Sequence, residues 1–202
     1  MASAKSSIGA VTDYPLAIDF RSVRLTDEQF YQLCQDNPEL RLEFTSEGGL
    51  VVMSPTGAKT SWRNSKLTQR LANWADAYGR GIAFDSNAGF TLPNGAKRSP
   101  DGAWVRLEVW QALSDEEQER FAPLCPEFVA ELRSPRDSLS SLQEKMQEYL
   151  DNGARLGWLL DPVEKRVYVY RRGRAMECLE NPKSLSGEDV LEGLVLDLQD
   201  VL

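Results

Sequence analysis

Apolar residues in this chain recur with two different periods, and the switching between them limits what the chain can build. Leu40-Arg41-Leu42-Glu43-Phe44 alternates apolar with polar residues, the pattern of a strand with one buried face. Gly48-Gly49 then turns the chain into Leu50-Val51-Val52-Met53, which ends at Pro55, so the pair predicts a hairpin. From about Thr60 to Tyr78 the interval changes. Leu67, Leu71, Trp74 and Tyr78 are spaced by 4, 3 and 4, a helical stripe suited to lying on a sheet and closed by Gly79 and Gly81. Strand signals return at Ala83–Leu92, at Ala103-Trp104-Val105 and at Glu127–Arg133. In the last of these, Phe128, Ala130 and Leu132 face one way, and Val129, Glu131 and Arg133 the other.

Further helices follow from caps and stripes. Thr26-Asp27-Glu28-Gln29 has the form of a capping box ahead of Phe30, Leu33 and Cys34. An acidic stretch from about Val109 to Phe121 has helical character, with Ser114 suited to an N-cap. Leu139, Leu142, Met146, Tyr149 and Leu150 mark an amphipathic helix closed by Asn152-Gly153. Leu156–Leu160 and Val167–Tyr170 predict a hairpin around Asp161-Pro162, followed by one short strand and a polar C-terminal segment. The fold class expected is α/β, a mixed sheet flanked by helices. Its 202 residues suit one domain over 21–202, after a flexible tail over 1–20.

The composition narrows the chemistry. The chain has no histidine, which removes Ser-His-Asp and Cys-His catalysis and histidine-based metal sites together. Its 3 cysteines are widely spaced with no CxxC pair, so free, buried thiols are expected rather than a disulfide framework or zinc site. Metal chemistry would have to use carboxylates and carbonyls, which suit Mg²⁺ or Mn²⁺. No apolar run reaches membrane-spanning length and no signal peptide is visible, so a cytoplasmic protein is expected. A net charge of −8 argues against general coating of nucleic acid but leaves room for a small groove. Basic residues of 63–70 and 133–145 are candidates to line one, and the tryptophans and Tyr149, Tyr168 and Tyr170 read as core.

Five residues form the candidate constellation. Asp101 follows a proline at the mouth of a strand, and Glu131 and Arg133 share one face of another. Lys145 borders the buried stripe of the next helix, from which it can lean toward the sheet. Glu43 lies on the hairpin. Two carboxylates can hold Mg²⁺ against a phosphodiester, and a nearby cation can neutralise charge developing on phosphate. Arg133 can clamp phosphate but cannot act as a base.

Pro100-Asp101 followed by Glu131-Leu132-Arg133 resembles the PD…(D/E)xK signature of restriction-endonuclease-like nucleases, with Arg in the lysine place. The ordered blocks LEFTSEGGLVVMSPTG, SPDGAWV and ELRSPRDSLSSLQEKMQEYLDNGARLGWLLDP are similar to a bacterial restriction-endonuclease-domain family of that PD-(D/E)XK superfamily, over roughly residues 25–172. The resemblance implies a restriction-endonuclease-like core, Asp101 and Glu131 as metal ligands, and Glu43 at the edge of the site. It also implies that a lysine on the following helix replaces the signature lysine, a position Lys145 matches. Arg133 and Lys145 therefore compete for the role of catalytic cation.

The expected function is a Mg²⁺- or Mn²⁺-dependent endonuclease acting on DNA, working as a homodimer. The alternative is a degenerate nuclease fold that binds a nucleic acid or protein, motivated by Arg in place of Lys. A carboxylate-pair hydrolase of sugars would need a sugar-sized cleft, which nothing in the sequence signals.

Overall fold

The polypeptide switches between sheets as its apolar period switches. The computed structural model describes residues 16–23, 25–53 and 55–202. Leu16–Asp19 is a strand, β1, although it falls within the expected tail; residues 1–15 of that tail lie outside the described residues. Helix α1 (Asp27–Asp36) starts at the capping box, in which Thr26 takes the Gln29 N–H and Gln29 takes the Thr26 N–H. The predicted hairpin is β2 (Arg41–Phe44) and β3 (Gly49–Met53), and β1 adds to its outer edge by pairing with β3. Phe30 of α1 packs on Leu42 and Leu50, the apolar face of this small sheet.

Helix α2 (Ala58–Tyr78) ends where Gly79 adopts φ +69, a left-handed cap whose N–H returns to the Ala75 carbonyl. Strand β4 (Gly81–Asp85) follows. The stretch expected to continue as one strand to Leu92 instead bends at Asp85, whose carboxylate accepts the Asn87 N–H at 2.9 Å. The chain then leaves for the small sheet as β5 (Phe90–Thr91) and β6 (Lys97–Arg98), completing the order β1-β3-β2-β6-β5. It returns as β7 (Gly102–Arg106).

The single helix expected over 109–121 is two short ones, α3 (Leu107–Gln111) and α4 (Asp115–Gln118). Ser114 is the reason. Its hydroxyl caps the Glu117 N–H and starts a new helix where the first would have continued.

Strand β8 (Phe128–Leu132), helix α5 (Leu139–Asn152) and strand β9 (Leu156–Asp161) form a βαβ unit, with β8 and β9 parallel. Strands β10 (Arg166–Arg171) and β11 (Glu177–Glu180) then complete a six-stranded mixed sheet, order β11-β10-β9-β8-β7-β4. One face of this sheet carries Trp104, Phe128, Ala130, Leu132 and Trp158 against Leu67, Leu71 and Ala75 of α2. The other face carries Ala103, Val129, Leu159, Tyr168 and Tyr170 against Met146, Tyr149 and Leu150 of α5. Each fully buried leucine here contributes about 1.5–3 kcal/mol.

Helix α5 lies close to the sheet because position 157 of β9 has no side chain. A Cβ there would stand 2.4 Å from Met146 Cε. The C-terminal stretch, expected to be polar, is a lid on the α2 face. Around the pair β12 (Ser184–Ser186) and β13 (Val195–Asp197), residues Leu185, Leu191, Leu194, Leu196, Leu198 and Val201 are buried in that core. Their apolar spacing is broken by turn residues, which hides the pattern from a periodicity reading. No described helix is long and apolar enough to cross a membrane.

Candidate active site

Asp101 and Glu131 meet through strand register. β7 and β8 are antiparallel with Ala103 opposite Val129 and Gly102 opposite Ala130, so the next step sets Asp101 opposite Glu131. Directly opposed residues have Cβ atoms about 5 Å apart. At this step the ladder gives way to a side chain: Asp101 Oδ2 accepts the Leu132 N–H at 2.9 Å. Both carboxylates lie two positions from residues that face α5, so both point to that side of the sheet.

α5 covers them with two side chains one turn apart. Lys145 Nζ lies 2.8 Å from Glu131 Oε1 and 2.8 Å from Glu43 Oε1, bridging the large sheet to the small one. The Tyr149 hydroxyl donates to Glu131 Oε1 at 3.2 Å. Glu43 is held from two further directions. Its Oε1 accepts the Ser99 N–H at 2.9 Å, and its Oε2 lies 3.2 Å from Arg98 Nη1. Arg98 also binds Glu148 Oε2 at 2.6 Å. Arg41 donates to the Ser99 carbonyl at 3.0 Å and stands 3.7 Å from Asp101 Oδ1.

The two glutamates that share Lys145 are driven in opposite directions. Burial pushes Glu131 up, Asp101 and Glu43 add to that, and Lys145 only partly offsets it, leaving the carboxyl at about 7. Burial also pushes Glu43 up, but Lys145, Arg98 and the Ser99 N–H outweigh it, so Glu43 sits below the ordinary carboxylate range. Asp101 is raised by burial, against the pull of Arg41 and the Leu132 N–H. Lys145 loses to burial but gains more from Glu131 and Glu43, so its ammonium holds its proton above the usual lysine range. It is a charged donor here, not a base.

Four of the five sequence candidates are therefore gathered: Asp101, Glu131, Lys145 and Glu43. Arg133 is not. It follows β8, and its Nη1 turns away to Asp161 Oδ2 at 2.7 Å while its Nε donates to the Asp137 carbonyl. Asp161 is fully buried (0 % exposed) and anchors the β9–β10 turn by accepting the Val163 and Glu164 N–H groups, so Arg133 is a structural counter-charge. The cation beside Glu131 is Lys145 of α5 and not Arg133.

Arg98, Tyr149 and Arg41 were missed as site residues. Arg98 belongs to the run Lys97-Arg98-Ser99-Pro100-Asp101, and a basic pair just before the Pro-Asp was the available signal. Tyr149 reads as core from its helical spacing and is core, but its hydroxyl reaches the site. Of the expected basic runs, Arg70 is committed to the carbonyls of Asp197 and Gln199. Trp74, Trp104, Trp110 and Trp158 pack into the two cores, whereas Trp62 is 47 % exposed. The cysteines are free as expected, but Cys178 is exposed, on the outer strand β11.

Asp101 and Glu131 fit a divalent ion by their chemistry. Both are oxygen donors on one side of a strand pair, and burial raises both carboxyls, with Asp101 and Glu131 so near each other that Asp101 adds to the shift of Glu131. Asp101 retains 19 % side-chain exposure, an opening to the site. Among the described residues no group of three or more acidic or cysteine side chains is arranged around one point, so the fit rests on this pair.

Residues 27–199 match the Uma2 family, described as "putative restriction endonuclease". The chain belongs to the Uma2 family. A solved structure, that of a putative nuclease of DUF820 from Anabaena variabilis ATCC 29413, shares the fold of this Uma2 chain. The two are 21% identical, with a TM-score of 0.72 over 88% of this chain and 97% of the other. No curated protein matches the chain.

Proposed function

We propose that this Uma2 protein is an endonuclease that hydrolyses phosphodiester bonds of DNA with the help of Mg²⁺ or Mn²⁺. The observation that supports this reading most is the placement of Asp101 and Glu131 one step beyond the Gly102–Ala130 pair, with the Lys145 ammonium on Glu131. Asp101 and Glu131 would hold the ion, which when bound supplies Lewis-acid polarisation of the scissile phosphate and activation of water at neutral pH.

The chain's own groups do the rest. Lys145 keeps a proton at Nζ and offsets the negative charge that develops on the phosphate oxygens as water adds and the P–O bond breaks. Glu43 fixes the position of Nζ, and Arg98 keeps Glu43 ionised. Tyr149 and Lys145 both hold Oε1 of Glu131. The reading includes a homodimer, tested by light scattering on a sizing column.

The test is cleavage of supercoiled plasmid and of single-stranded DNA with Mg²⁺ or Mn²⁺. Asp101→Asn and Glu131→Gln are expected to lower the rate by at least about 100-fold, the scale of losing a preorganised electrostatic group. A wild-type protein as inert as both variants under every condition ends the reading.

A further inference from the structure

The chain is acidic overall, with a net charge of −8, yet it has no Asp or Glu between Glu47 and Asp76. That gap contains α2, and α2 carries four cations: Lys59, Arg63, Lys66 and Arg70, at intervals of 4, 3 and 4. Such spacing keeps them on one face, as a stripe beside the apolar one that packs on the sheet. Arg70 at the far end is tied to the carbonyls of Asp197 and Gln199. Among the described residues, Lys59, Arg63 and Lys66 enter no ion pair. The first turn of α2 has no acidic residue and its cap, Gly57, offers no side chain to the free N–H groups. The helix end thus adds its own positive partial charge.

The packing fixes where this stripe lies. A Cβ at Gly102 would touch Leu71 at 3.7 Å and Leu67 at 3.8 Å, while the Trp74 and Tyr78 rings pack tilted against Trp104, with centroids 5.7 and 6.4 Å away. α2 and β7 therefore run the same way. Gly102 adjoins Asp101, so each turn N-terminal to Leu67, about 5.4 Å of rise, carries the helix past the end of the sheet where the carboxylates stand. Arg63 is one turn out and Lys59 two.

We infer that Lys59, Arg63 and Lys66 are a phosphate-binding rail for the DNA backbone, on the α2 face of the sheet and continuing past the sheet end at which Asp101 and Glu131 point to the opposite face. The inference rests on the endonuclease reading and adds the surface that holds the substrate. An acidic protein needs such a rail, because the field of the rest of the chain repels DNA. The rail reads charge and spacing, not base sequence.

Fluorescence anisotropy tests it, with a labelled duplex of roughly 20 base pairs in EDTA between about 50 and 200 mM salt. A triple variant, Lys59→Gln with Arg63→Gln and Lys66→Gln, is expected to bind at least about tenfold more weakly at low salt. Its slope of log affinity against log salt should be shallower by between about 2 and 3, near 0.9 for each lost phosphate contact. Lys59→Glu alone separates binding from folding. An acid in the first turn favours the helix, so this variant should melt no earlier than wild type by circular dichroism and still bind DNA less well.

A triple variant with wild-type affinity and slope, in a protein that cleaves plasmid, overturns the rail and leaves the endonuclease reading intact. A protein that binds DNA with the expected loss in the variants but cleaves nothing keeps the rail and loses the endonuclease. Wild-type protein that neither binds nor cleaves removes both.

Discussion

The Lys145 ammonium stands 2.8 Å from the Glu131 carboxylate, joining helix α5 to the strand that precedes it in the chain. The same ammonium serves Glu43, which Arg98 also holds, so two enclosed acids share one cation. Lys145→Met leaves both without it. The expected cost is about 3 kcal/mol of stability, the scale for stripping one partner from a buried pair. Urea unfolding at pH 8 measures this, and cleavage should fall to the level of Asp101→Asn. Lys145→Arg keeps the charge but replaces a compact ammonium with a planar fork, so it should recover most of the stability and little of the activity.

Stability should respond to pH at Glu131 with a definite sign. Burial, with Asp101 and Glu43 nearby, raises this carboxyl from 4.5 to about 7. Between those values the folded protein holds a proton that the unfolded chain has released. Its contribution to stability is therefore present at low pH and lost as the pH rises through about 7. Glu131→Gln cannot ionise, so it should gain on wild type between pH 5 and 8, by up to about 3 kcal/mol. Glu43→Gln should run the other way, because burial of Glu43 is outweighed by Lys145 and Arg98 and its carboxylate supports the fold above its unfolded value. Metal-free unfolding curves at three pH values decide this; an offset that does not vary with pH contradicts it.

The proposed metal binding should depend on the pH through the same carboxyl. An ion at Asp101 and Glu131 must displace the Glu131 proton, so Mn²⁺ affinity should strengthen up to about tenfold per unit as the pH climbs toward 7, then level off. Calorimetry in buffers of different ionisation enthalpy would show a proton released on binding. Asp101→Asn should abolish the heat. A titration flat from pH 5.5 to 8 argues that Glu131 is not a ligand.

Arg133 gives the opposite profile to Lys145. Arg133→Ala strands the fully enclosed Asp161 and should cost about 3 kcal/mol, while specific cleavage at a temperature where the variant is folded stays within about threefold of wild type. Thermal melting and the plasmid assay together check it. Loss of cleavage in folded protein would return Arg133 to the site.

The strands and helices that place the carboxylates were legible because their apolar residues repeat cleanly, as in β8 and α5. Asp101, Glu131, Lys145 and Glu43 were reachable from signature order and helix geometry. Arg133 was misplaced because strand alternation gives a side chain's face only while the strand lasts, and β8 ends at Leu132. The basic pair before Pro100-Asp101 hinted at Arg98 but not at its partners, which lie 55 and 50 positions away on β2 and α5 and meet it only in the folded chain. The C-terminal lid was hidden for a related reason. Its leucines are scattered among turns, and only the finished sheet gives them a common surface.

Gly157 is remote in function from any carboxylate, yet it sets the standoff of α5 and with it the reach of Lys145. The atom it would meet is the tip of Met146, so an alanine there is absorbed by swinging one thioether aside. A valine has no such outlet and must lift the helix. An ammonium bound at hydrogen-bonding distance on two sides tolerates little lifting, so the bulk allowed at one position of β9, beneath the helix, limits where that charge can stand.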